Sequence, residues 1–141
     1  MPFLLILDRV SDVRNFGALL RTAESAGVDA VVIPSKGSAQ LNSDTIKSSA
    51  GAIYKIPICR AHNLKEVIDF LKSSGIKVAA ATEKTSQPYF NTNLTGPVAI
   101  IMGSEGEGVS GEYLKRADVK LKVPMLGEIE SLNVSVAGAV L

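Results

Sequence analysis

The stretch VAIIMGSEGEGVSGEY (98–113) decides the architecture, because an apolar run breaks at Gly103 into alternating glycines and glutamates and then resumes as a short helical pattern. A glycine-rich turn after a strand commonly cradles phosphate, since backbone N–H groups and a helix N-terminus attract anions. Here Glu105 and Glu107 stand where the anion would be. The turn therefore suits a ligand without phosphate. The same residues also describe a tight turn feeding a short helix.

Working outward, short Val- and Ile-rich runs alternate with helical patterns, the signature of βαβ units and a parallel sheet. The expected strands are FLLILD (3–8), AVVIP (30–34), KIPIC (55–59), KVAAAT (77–82), VAIIMG (98–103) and VKLKV (119–123). A first helix should follow Asp12 and end at Gly27, a residue suited to the left-handed position just past a helix. Asn63 with Glu66 has the spacing of a capping box, and the helix it opens stops at Gly75. Two further helices are expected around 43–49 and 111–117. The final segment NVSVAGAVL (133–141) has helical spacing and no stop signal, so the 141 residues read as a single domain whose last helix is truncated.

A chain of this length can bury a real core. The longest apolar runs fall well short of the ~20 residues of a membrane helix, and MPFLLILDR meets charge too early for a signal peptide, which makes the cytoplasm the expected compartment. One cysteine, Cys59, excludes an internal disulfide and a multi-cysteine metal site. Placed in a strand, it is expected to be a small buried hydrophobe. A net charge of +1 means that any nucleic-acid contact must come from a local patch. Arg9, Arg14, Lys36, Lys47 and Lys84 are candidates for such contacts. His62 is the only histidine, so neither a Ser-His-Asp triad nor a histidine metal site is expected.

Four stretches could carry chemistry. In DVRNFGALLRTAESAG (12–27) the helical spacing puts Ala18, Leu19, Thr22, Ala23 and Ala26 on one face and Gly17, Arg21 and Glu24 on the other. Arg21 beside a glycine can meet phosphate or carboxylate through its planar fork, although an Arg21–Glu24 pair on a solvated face fits the pattern too. The turn at 103–108 lies where α/β proteins place ligands, at the carboxyl edge of the sheet, but its spacing and late position are wrong for a dinucleotide fingerprint. In KVPMLGEIESLNVSVAGAVL (122–141), Ser131 and Asn133 either cap a helix or bond a substrate. TEKTSQPYFNTNLTGP (82–97) is a polar loop of the length that binding loops have.

Taken together and in order, three of these segments resemble one family. The pattern Asn15, Gly17, Arg21, Thr22, then MGSEGEG (102–108), then VPMLGEIESLNVSVA (123–137) is similar to the three motifs of the SpoU/TrmH family of RNA ribose 2′-O-methyltransferases, of the SPOUT superfamily. Within it the chain looks closest to the enzymes that methylate a guanosine ribose in 23S ribosomal RNA, with the transfer-RNA branch next. The resemblance implies an α/β fold with a mostly parallel sheet, helices on both faces and a C-terminal trefoil knot. Pattern-reading alone would never suggest a knot, since knots are nearly absent among proteins.

The resemblance further implies S-adenosylmethionine as cofactor, RNA as substrate, no metal, and a homodimer whose sites are completed at the subunit interface. By matching positions, Gly103, Val123 and Leu132 would hold the cofactor through backbone groups, with Met102, Gly106 and Met125 beside them and Thr82 near the adenosine. Arg21 would be the catalytic arginine, with Asn15, Glu105, Ser131 and Asn133 around the reacting centre. The N-terminal RNA-binding domain of many members has no counterpart in the sequence. Two other classes stay open: a catalytically silent RNA-binding module of the same fold, and a nucleotide-binding α/β protein, against which stands the lack of a lysine in 103–108.

Overall fold

A computed structural model describes residues 2–36, 47, 51–82, 95–104 and 108–121. Their strands are β1 (Phe3–Asp8), β2 (Ala30–Pro34), β3 (Ile58–Ala61), β4 (Lys77–Ala81), β5 (Val98–Gly103) and β6 (Val119–Leu121). Their α-helices are α1 (Val13–Ala26), α2 (Leu64–Ser73) and α3 (Gly111–Arg116), with a 3₁₀ turn at Ala52–Tyr54. The strands form one sheet in the order β3-β2-β1-β5-β4-β6, and every pairing is parallel. The expected parallel α/β sheet is therefore present.

Side chains alternate along each strand, so the sheet has two apolar faces and must be covered on both. On one face Leu5, Leu7, Val31, Ile33, Ile100 and Met102 pack against Phe16, Leu19, Leu20 and Ala23 of α1. On the other, Ile6, Val32, Val78, Ala80 and Ile101 meet Leu64, Ile68 and Leu71 of α2 and Leu114 of α3. Burying each large side chain of this kind is worth about 1.5–3 kcal/mol. Helices thus lie on both faces.

The expected helix ends are present, although the capping box at Asn63 is not completed, since Glu66 makes no bond back to it among the described residues. Asp12 caps α1 by accepting from the Asn15 N–H at 3.0 Å, and Gly27 ends it at φ 83°. Asn63 caps α2 through the Lys65 N–H. Two aspartates tie strands at the amino edge in the same way. Asp29 accepts from the Phe3 N–H and donates its own N–H to the Phe3 carbonyl, both at 2.8 Å. Asp118 makes the identical pair of 2.8 Å bonds with Val78.

Three expectations need correcting. The third strand begins at Ile58 and runs to Ala61, later than KIPIC, because Ile56 closes the 3₁₀ turn by donating to Ala52 and only after Pro57 does the ladder with β2 start. Cys59 is exposed: β3 pairs with β2 alone among the described strands. The core face of α1 is rotated from the expected one. Phe16 and Leu20 are fully buried whereas Ala18 and Thr22 are only half-buried, since the bulkiest side chains set which way the helix turns. Gly17 is buried with them, and Arg21 and Glu24 are exposed. Glu24 pairs with Lys55 at 3.8 Å, not with Arg21. The helix expected at 43–49, the knot and the C-terminal helix lie outside the described residues, Lys47 apart.

Candidate active site

The strand order reverses between β1 and β5, and the carboxyl ends at such a switch point are where α/β sheets place ligands. Asp8 ends β1 and is level with Gly103 at the end of β5. Lys77–Ala80 of β4 run level with Val98–Ile101, so continuing that register puts Thr82 beside Gly103. Asp8, Gly103 and Thr82 thus form one row, with strands ~4.8 Å apart. The Thr82 N–H donates to the Leu121 carbonyl at 2.8 Å, which brings the end of β6 into the row.

The turn after β5 is built on Gly103. A Cβ there would lie 2.0 Å from the Gly108 carbonyl carbon and 2.4 Å from the Val109 nitrogen, so glycine is required by the chain's own return. The return is closed by the Gly108 N–H donating to the Ser104 carbonyl at 2.8 Å, with Gly108 at φ 70°. The need for close backbone approach was legible; the partner that approaches is the turn itself.

Asp8 went unnoticed as a candidate. It is 1% exposed, the buried charged residue of the described set. Its Oδ2 accepts from both the N–H and the hydroxyl of Ser110 at 2.7 Å, and its Oδ1 accepts from Arg9 Nε at 3.3 Å. The one available signal was an aspartate closing a wholly apolar strand. Arg9 itself sits at φ 59°, a conformation that L-residues other than glycine rarely adopt. Tyr113, near this carboxylate, has its phenol pKa raised, first by burial and then by the charges of Asp8 and Glu112, with Arg9 offsetting part.

The remaining candidates fall into three groups. Met102 commits its side chain to the core, at 2% exposure. Asn15 stands half-buried in the first turn of α1, and Arg21 is exposed about 9 Å further along the helix; no bond among the described residues joins Arg21 to the Asp8–Thr82 row. Glu105, Gly106, Val123, Met125, Ser131, Leu132 and Asn133 lie outside the described residues.

The family model described as SpoU rRNA Methylase family matches residues 2–141. The chain belongs to that family. It is 42% identical over 139 residues to the 23S rRNA (guanosine-2′-O-)-methyltransferase RlmB of Photorhabdus laumondii, covering 99% of this chain and 57% of that one. This member therefore spans little more than half the length of the curated relatives it matches. Among solved structures it is similar to an AdoMet-bound rRNA methyltransferase from Sinorhizobium meliloti, with 25% identity, a TM-score of 0.85, and coverage of 99% of this chain and 55% of that one. It is also similar to the TrmH/SpoU tRNA modifying enzyme of A. aeolicus, with 29% identity, a TM-score of 0.79, and coverage of 98% and 71%. The SpoU/TrmH reading of the three sequence motifs is thereby borne out.

Proposed function

We propose that this domain transfers a methyl group from S-adenosylmethionine to a ribose 2′-hydroxyl of RNA, on a guanosine of ribosomal RNA. The observation that carries the reading is the match of the SpoU family model along residues 2–141, joined to a carboxyl-edge row at the switch point of the sheet. The similarity to the A. aeolicus tRNA modifying enzyme supports transfer RNA as the second substrate class.

The row suits the cofactor chemically. Thr82 and Ser104 bring hydroxyls, Gly103 brings backbone, and Asp8 is negative, so these residues set no positive charge against a sulfonium or an ammonium group. A carboxylate-rich turn that would repel phosphate is harmless to a donor that has none. When bound, S-adenosylmethionine supplies an electrophilic methyl on a positively charged sulfur. Gly103 and Thr82 would hold it, together with the backbone of Met102 and with Gly106, Val123, Met125 and Leu132.

The protein's task is alignment of the attacking oxygen, for which intramolecular analogues set an upper scale of ~7–11 kcal/mol. Arg21 presents an exposed guanidinium suited to grip the phosphate beside the target ribose and polarise its 2′-hydroxyl. A guanidinium is a charged donor with no acceptor site, and so a poor base. Asn15, Glu105, Ser131 and Asn133 would surround the reacting centre. The same reading takes the domain to be a cytoplasmic homodimer, each site completed by the neighbouring subunit; among the described residues no helix is long and apolar enough to cross a membrane.

The test is mass mapping of ribose methylation in ribosomal and transfer RNA after deletion of the gene, with calorimetry of the protein against S-adenosylmethionine and ATP. Loss of one ribosomal guanosine methylation and heat with S-adenosylmethionine are expected. No heat with either ligand would favour a silent RNA-binding module, and heat with ATP alone a nucleotide-binding protein.

A further inference from the structure

We propose that Asp8 is a positioning residue for the methyl donor: its buried carboxylate fixes where the glycine turn enters α3, and cofactor affinity depends on that pin. The inference rests on the methyl-transfer reading above.

A carboxylate that is 1% exposed at the end of an apolar strand is costly unless its bonds are met. They are met by the turn. Ser110 gives both its N–H and its hydroxyl to Oδ2 at 2.7 Å, and it does so from 102 residues away. Hydrogen bonds to a charged group are stronger than neutral ones. The strand itself gains nothing from the charge, because Leu7 and Ile6 already supply its packing on the two faces. Arg9, held at φ 59°, balances the carboxylate from the outer side.

The turn is consequently fixed at both ends. Its entry is set by Gly103, whose α-carbon leaves no room for a side chain against Gly108. Its exit is set by Ser110, the residue before α3. Both anchors belong to the Asp8–Gly103 step of the row, where β1 and β5 end level. A ligand that contacts the turn through backbone groups reads its position directly, and the preorganisation of such groups sets affinity.

The experiment compares the whole protein with its Ser110→Ala, Asp8→Asn and Asp8→Ala variants. Three quantities are read: the dissociation constant for S-adenosylmethionine, hydrogen exchange at the Gly108 and Ser110 amides, and thermal melting. Asp8→Ala should weaken binding about tenfold and Ser110→Ala about threefold, the amide exchange rising in step. Asp8→Asn keeps an oxygen that can accept from Ser110, so its affinity should lie nearer the parent than that of Asp8→Ala. If Asp8→Ala does not fold, the other two variants decide. Folded variants that bind as tightly as the parent, with only the melting temperature lowered, would overturn the proposal and leave Asp8 a purely structural residue. No heat between the parent and S-adenosylmethionine would instead sink the methyl-donor reading, and unchanged Ser110 exchange in folded variants would refute the pin independently.

Discussion

Asp8 and Ser110, 102 residues apart, meet through a single carboxylate oxygen that accepts both the N–H and the hydroxyl of the serine at 2.7 Å. The contact joins the end of the first strand to the start of α3, and so ties the two βα junctions at the switch point into one unit. The carboxyl edge is held by this cross-link as well as by the core, which Val10 and Val109 extend past the ends of β1 and β5 on the two faces.

Gly103→Ala should be severely destabilising. The three atoms that a Cβ would strike, at 2.0, 2.1 and 2.4 Å, are all backbone of Gly108 and Val109, and backbone cannot swing aside as a side chain would. A loss of about 3 kcal/mol in urea denaturation is expected, the upper part of the overpacking range. A loss under ~0.5 kcal/mol would mean that the turn does not return over Gly103.

Arg21→Ala separates chemistry from stability. Arg21 is exposed and makes no bond to another described residue, and alanine is the best helix former, so unfolding free energy should stay within about 0.5 kcal/mol of the parent. Methyl transfer should be abolished while cofactor binding persists. One residue back, fully buried Leu20 sets the contrast: Leu20→Ala should cost about 2–5 kcal/mol. Transfer at the parent rate by the arginine variant would remove Arg21 from the proposed site.

The sheet was legible because its strands are apolar runs whose ends coincide with turn residues: β1, β2 and β5 fall on the residues that the sequence marks. Helix ends at Asp12, Gly27 and Asn63 were legible for the same local reason. What periodicity missed was long-range. No pattern in FLLILD announces that Asp8 will reach Ser110, and the face of α1 followed side-chain bulk at Phe16 and Leu20 where spacing alone favoured Ala18 and Thr22. Exposure of Cys59 depended on its strand having a neighbour on one side only, a property of strand order and not of local sequence. Of the candidate site, the sequence placed the Gly103 turn at the carboxyl edge of the sheet, whereas Asp8 and Thr82 standing level with it is a property of strand order and register.

The ion pairs between α2 and α3 should prove weak and salt-sensitive in spite of their number. Lys65 meets Glu112 at 3.2 Å, Arg116 meets Asp69 at 2.6 Å, and the Lys72 ammonium donates to the Arg116 carbonyl at 2.7 Å. The Arg116 and Asp69 side chains are 40% and 54% exposed, so water competes for both. A double-mutant cycle on that pair should give a coupling of about 0.5 kcal/mol at low salt, fading at 1 M where the Debye length is ~3 Å. A coupling above ~2 kcal/mol that ignored salt would contradict this account.

Tyr113 makes stability depend on pH at the alkaline end. Its phenol pKa is raised in the folded protein, by burial first and by the Asp8 carboxylate second. The folded state therefore favours the protonated phenol, and the stability this confers is fully present below the unfolded value near pH 10 and is lost as pH rises through the higher folded value. From pH 9 upward, through and beyond the unfolded value near 10, the parent should lose stability relative to Tyr113→Phe, which has no proton to release, whereas near pH 7 the two should melt alike. In Asp8→Asn, spectrophotometric titration should bring the phenol down toward its ordinary value without reaching it, since burial is the larger cause. A parent and phenylalanine variant whose difference stays constant across that interval would show that Tyr113 titrates as it does in the unfolded chain.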